Sequence, residues 1–318
     1  MAVVHLNQQA VAKATAASGP HIWAVASGKG GVGKSLISSS LGLALAQRGK
    51  QVVLVDLDLG GANLHTCLGM VNPKLTLSDF IDSKQRHINE FIQPMPDTTL
   101  GLISGVADRL EIANLKHFQK QKIIRNLKHI DADYVILDLG AGTTFNTLDF
   151  FIQAKRGIIS VVPDPMSIEN TYRFLKCALI RRLHEAPKQT RRLVVQVLSM
   201  HCGENRKIWT LASFMRAMQQ LHPNHARLLQ GEFGRQKLHL IVNQVLESAD
   251  TELGSSMAMA CGKYFGQKLD YLGYLNHDRQ VVAAMRQRRP FLMTYPQSRA
   301  AIHLEHMAAA LLDQDQRS

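Results

Sequence analysis

The chain has 318 residues, 46% of them hydrophobic, enough to bury a large core in one long α/β domain. It carries 37 Lys+Arg against 25 Asp+Glu, a formal charge of +12, which suits contact with nucleic acid, an anionic membrane face or an acidic partner. No run of about 18 apolar residues occurs, and the first residues lack a basic stretch followed by an apolar one. Neither a membrane span nor a signal peptide is therefore expected.

Residues 1–20 form an Ala-, Gln- and Ser-rich extension that closes on Ser18-Gly19-Pro20. The apolar run Ile22-Trp23-Ala24-Val25-Ala26 predicts a buried strand, and Leu36 to Gln47 predicts a helix. Between them Ser27-Gly28-Lys29-Gly30-Gly31-Val32-Gly33-Lys34-Ser35 fits G-x-x-x-x-G-K-[ST]. Glycines there let backbone N–H groups converge on phosphate oxygens, and the helix N-terminus adds positive potential. Lys34 is placed to reach the β- and γ-phosphates of a nucleotide, and the Ser35 hydroxyl to ligate Mg²⁺. Gln51 to Asp56 predicts a second buried strand, which runs into Leu57-Asp58-Leu59-Gly60-Gly61-Ala62-Asn63. Carboxylates at a strand's carboxyl end lie where open α/β sheets bind ligands, so Asp56 and Asp58 are expected to face Mg²⁺ and the attacking water.

Leu75 to Ile92 reads as helices, Thr99 to Gly105 as a short strand, and Leu115 to Ile130 as an amphipathic surface helix. Tyr134-Val135-Ile136-Leu137-Asp138 has the form of a Walker-B strand, with Asp138 linked to Mg²⁺ and the Gly140 N–H aimed at a γ-phosphate. Gly157 to Pro163 predicts another strand, and Ser167 is expected to cap a helix that runs to Leu183. The pattern changes over about 185–235, a helical insertion read as two helices at 191–201 and 208–221. A strand resumes at Leu238 to Asn243, followed by a helix from Ser256 to Leu269 and a last strand at Tyr271 to Leu275. Helices at Asp278 to Arg288 and Arg299 to Leu312 close the chain, with 313–318 a polar tail. Strands alternating with helices imply one α/β domain over 21–312, its mostly parallel sheet covered by helices on both faces. The cysteines Cys67, Cys177, Cys202 and Cys261 form no C-x-x-C pair and read as reduced core thiols of a cytoplasmic protein.

The second lysine of the loop, Lys29, gives the spelling Lys-Gly-Gly-Val-Gly-Lys-Ser, which resembles the deviant Walker A motif of the MinD/ParA ATPases. Asp56-x-Asp58-x-Gly60-x-x-Asn63 is similar to that family's switch I, and Asp138-Leu139-Gly140-Ala141-Gly142 to its switch II. Gly-Gly-Ala-Asn after switch I, Pro163-Asp164-Pro165 with Ile168 and Tyr172, and Tyr295-Pro296-x-Ser298 resemble the FlhG/FleN branch, regulators of flagellar number.

The resemblance implies ATP and Mg²⁺ as ligands, and nucleotide contacts from Gly28, Lys29, Gly30, Gly31, Val32, Gly33, Lys34, Ser35, Leu36, Gly140 and Asn243, the last at the adenine edge. It further implies slow ATP hydrolysis in a face-to-face homodimer. Lys29 would cross to the partner's phosphates, Lys34 would hold the nucleotide's own, and Asp58 would orient water. Ser35, Asp56 and Asp138 would act at the metal. The implied output is regulation of flagellar number or the position of a cell structure, through a protein partner, in the cytoplasm or peripherally at membrane or nucleoid. A ParA-like segregation ATPase that contacts DNA is the alternative, and an Mrp-like iron–sulfur carrier a more distant one. Four features depart from the branch, one being the polar end Leu311 to Ser318 where relatives usually carry a Lys-rich amphipathic helix. Asn7-Gln8-Gln9-Ala10 only partly matches its Asp-Gln-Ala segment, Asn276 replaces a frequent proline, and the insertion has no counterpart.

Overall fold

A computed structural model describes residues 19–70, 73–105, 115–201 and 210–317, so the expected extension before Gly19, and Cys202, lie outside the described residues. In chain order the elements are β1 (His21–Ala26), α1 (Lys34–Gln47), β2 (Val52–Leu57), α2 (Leu64–Cys67), α3 (Leu77–Asp82), a 3₁₀ turn (Ile88–Phe91), β3 (Gln93–Pro94), β4 (Leu100–Ile103), α4 (His117–Leu127), β5 (Tyr134–Leu139), α5 (Phe145–Phe151), β6 (Arg156–Val161) and α6 (Pro165–Glu185). There follow α7 (Lys188–His201), α8 (Leu211–Leu221), α9 (Pro223–Gly234), β7 (Lys237–Val245), a 3₁₀ turn (Ser248–Glu252), α10 (Leu253–Phe265), β8 (Leu269–Asn276), α11 (Arg279–Gln287), α12 (Phe291–Thr294) and α13 (Arg299–Gln316).

The strands form one eight-stranded sheet in the order β3-β4-β2-β5-β1-β6-β7-β8. Every pairing is parallel except β3 with β4. The central strands β1, β2, β5 and β6 are apolar runs rather than alternating ones because helices cover both faces. On one face Phe80, Ile123, Phe150, Phe174 and Met257 bring α3, α4, α5, α6 and α10 into a common core. On the other, Leu41 and Leu45 of α1 meet Leu304, Ala308 and Leu311 of α13. A third core belongs to α7, α8 and α9, whose Val194, Phe214, Met218 and Leu229 close on Leu179 and Leu183 of α6.

Four differences from the sequence reading have a local reason. The insertion holds three helices, since Pro223 sits in the first turn of α9, where its missing N–H costs nothing. The cap of α6 is Asp164 rather than Ser167. The Asp164 carboxylate accepts the Ser167 N–H at 2.8 Å, and the Ser167 hydroxyl accepts the Val162 N–H at 3.1 Å. Helix α10 stops at Phe265 because Gly266 adopts φ +63°, so Leu269 opens β8 instead of closing a helix.

The fourth is the C-terminus. Helix α13 continues to Gln316, and Asp315, expected in a polar tail, is buried. Its Oδ1 lies 2.6 Å from Nη2 of the fully buried Arg156, and its Oδ2 accepts the Trp23 indole N–H at 3.1 Å. Arg156 also donates to His239 Nε2 at 2.8 Å and to Gln314 Oε1 at 2.9 Å. Burial, reinforced by the Arg156 charge, lowers the His239 pKa to about 4, so its imidazole is neutral and accepts that bond. Among the described residues no helix is long and apolar enough to cross a membrane.

Candidate nucleotide site

The Gly-rich loop joins β1 to α1 at the carboxyl edge of the sheet, and it is braced from several strands. Asn243 Nδ2 donates to the Val32 carbonyl at 2.9 Å, the Ser160 hydroxyl to the same carbonyl at 2.9 Å, and Gln244 Nε2 to the Gly31 carbonyl at 3.0 Å. Two glycines are obligatory for different reasons. Gly33 has φ +85°, and a Cβ there would lie 2.2 Å from Asn243 Nδ2. At Gly28 a Cβ would lie 2.2 Å from the Asn170 carbonyl carbon, so the loop backbone rests directly on α6.

Asp56 and Asp138 are register partners at the ends of β2 and β5. Both are buried and do not line the cavity in front of the loop. Asp138 accepts the Ser35 hydroxyl at 2.6 Å and that of Ser38 at 2.9 Å. Asp56 accepts the N–H groups of Asp58 at 3.2 Å and Leu64 at 3.1 Å, which shapes the segment after β2. Burial raises the pKa of both carboxyls. The Asp138 charge adds to the rise at Asp56, while the Ser35 and Ser38 hydroxyls and Lys34 oppose it at Asp138. Paired buried carboxyls beside a hydroxyl are a hard oxygen donor set whose ionisation a divalent cation would relieve, so these residues fit Mg²⁺.

The cavity holds about 510 Å³, within the range of small-ligand sites. Gly30, Gly31, Gly33, Lys34, Ser35, Leu36 and Asp58 line one side, and Asn243, Gln244, Asn276, His277 and Met285 another. Gly140 faces Asp58, since a Cβ at Gly140 would lie 3.3 Å from Asp58 Oδ1. Two residues beyond, the Gly142 N–H donates to the Ser27 carbonyl at 3.0 Å and ties this turn to the loop. The Asn243 amide, expected at an adenine edge, is engaged on both atoms, with Val32 and with the Gln244 N–H. Val32 is buried behind the loop rather than lining the cavity.

Lys29 stands apart. It does not line the cavity, and its Nζ lies 3.0 Å from Asp164 Oδ2 at the cap of α6, both side chains about one-third exposed at 35% and 38%. This contact lowers the Asp164 pKa. The sequence reading missed Asp164 as a partner, although its place at the carboxyl end of β6 was a signal. Asp164→Asn keeps an oxygen for the cap and removes the charge. It is expected to leave the thermal midpoint, read by circular dichroism, unchanged, since a partly exposed ion pair contributes little to stability.

Comparison with known proteins adds the family. The ParA family model, described as NUBPL iron-transfer P-loop NTPase, matches residues 19–185. The antiactivator FleN of Pseudomonas aeruginosa is 25% identical over 286 residues, 90% of this chain and 84% of that protein. The septum site-determining protein MinD of Helicobacter pylori is 31% identical over 150 residues, about half of either chain at 47% and 55%. Among solved structures, MinD of Pyrococcus horikoshii, complexed with Mg-ADP, shares the fold with a TM-score of 0.63 at 18% identity, covering 92% of this chain and 96% of that one. With its loop, strand order and site arranged as above, this chain belongs to the ParA/MinD family of P-loop NTPases.

Proposed function

We propose that the protein is an ATP-driven switch that binds Mg-ATP in the 510 Å³ cavity, pairs with a second copy of itself, and hydrolyses ATP slowly within that dimer. The position of Lys29 carries this reading, because the cation is held at the rim by Asp164 rather than committed to its own cavity. The exposed apolar side chain of Met166 (68%), two residues past Asp164 in the first turn of α6, supports a second copy as the cover of that face.

Within the site Lys34 and the loop N–H groups bind the phosphates, and the Gly140 N–H stabilises charge on the γ-phosphate. The Asp58 carboxylate, beside Gly140, orients water and accepts its proton. Ser35, with Asp138 and Asp56 behind it, would hold Mg²⁺, which would neutralise phosphate charge. From the partner, Lys29 adds a second cation, the role an arginine finger plays elsewhere. Likeness to FleN favours an output on flagellar number or the placement of a cell structure, through a protein partner. The charge of +12 favours a second reading, a segregation ATPase whose ATP form binds DNA in a salt-dependent way. Iron transfer has less support, since Cys67, Cys177, Cys202 and Cys261 form no C-x-x-C pair.

Asp58→Ala tests the main reading. The variant is expected to bind ATP like the wild type, to hydrolyse it about 10²-fold more slowly, and to persist as a dimer in light scattering. Wild-type turnover would sink the proposal.

A further inference from the structure

Where the last turn of α6 meets the first two turns of α7, His184, Lys188, Arg191, Arg192 and Val195 line a groove of about 310 Å³. Among the described residues no acidic one lines it, and the neighbouring Glu185 turns toward Arg181, 3.7 Å away. Lys188, Arg191 and Arg192 are exposed, and Val195 is 50% exposed beside them. The opposite face of α7 is fixed, with Val194 and Val197 fully buried in the insertion core.

We propose that this groove is a docking site for an acidic segment of a partner polypeptide, whose carboxylates meet the cations while an apolar side chain rests on Val195. This stands independently of the nucleotide chemistry. Charge selects an anion, and three observations select its kind. From Lys188 to Val195 the helix rises only about 10 Å, too short for the 6–10 phosphate contacts typical of duplex binders. Among the described residues no Phe, Tyr or Trp side chain lines the groove to stack on a base. A bilayer would need the apolar face of α7, and that face is already buried against α6, α8 and α9.

The test measures fluorescence anisotropy of a labelled peptide of repeated Glu-Glu-Leu units with the full chain. Saturable binding is expected, weaker at high salt, reduced about tenfold or more by Arg191→Glu with Arg192→Glu, and about threefold by Val195→Ser. Melting curves and Mg-ATP affinity of these variants should match the wild type. If the double Glu variant does not fold, the Arg191→Gln, Arg192→Gln pair replaces it, with a loss of about threefold or more expected. Unchanged peptide affinity in the folded variants, or no saturation up to about 1 mM peptide, overturns the proposal. So does a loss confined to a short DNA duplex or to phosphatidylglycerol vesicles while peptide binding persists.

Discussion

Lys34→Ala is expected to weaken Mg-ATP binding about 10³-fold, roughly 4 kcal/mol, with the fold intact. Lys34 opens α1, is largely buried, and lines the cavity from within the loop. The loop itself hangs on other residues, through Asn243 and Ser160 on the Val32 carbonyl and Gln244 on that of Gly31. Truncating Lys34 thus removes charge without releasing the cradle. A second effect acts in the same direction. Lys34 is one of the groups that opposes the upward pKa shift of Asp138, so its loss makes that carboxyl hold a proton more readily and serve a cation less well. Titration calorimetry with Mg-ATP reads the affinity, and circular dichroism the fold. Near-wild-type affinity would place the nucleotide elsewhere.

Asp315→Ala is expected to destabilise the protein by about 3–5 kcal/mol, because it strands Arg156 in the core without a counter-charge. The neutral His239 offers Arg156 an acceptor but no charge, and the Trp23 N–H loses its partner as well. Urea titration measures the loss. Replacing both charges, Arg156→Met with Asp315→Leu, should recover most of it, since a well-packed apolar pair often equals a buried ion pair. If the single variant loses under about 1 kcal/mol, the pair contributes little to the fold.

What could be read in advance follows the range of the interactions. The loop, Asp58, Asp138 and Gly140 stand at strand ends within short, self-describing motifs, and apolar runs sufficed to locate the parallel strands, though not their order in the sheet. Asp164 was legible as a turn residue but not as the partner of Lys29, since the two are 135 positions apart. Composition assigned Asp315 to solvent, although its partners Trp23 and Arg156 lie 292 and 159 positions away. The third insertion helix was missed because His222 closes α8 and opens α9 with no other residue between the two helices.

Helix α6 touches the Gly-rich loop near one end, where a Cβ at Gly28 would collide with Asn170, and enters the insertion core at the other through Leu179 and Leu183. Its 21 residues make a rod about 31 Å long, with Asn170 close to the cap. The geometry is that of an unequal balance arm. A tilt of about 5° about the loop contact leaves the Asp164 end nearly in place yet swings the insertion by about 2 Å. Any shift of the loop at Gly28 would therefore be felt, enlarged, at the insertion.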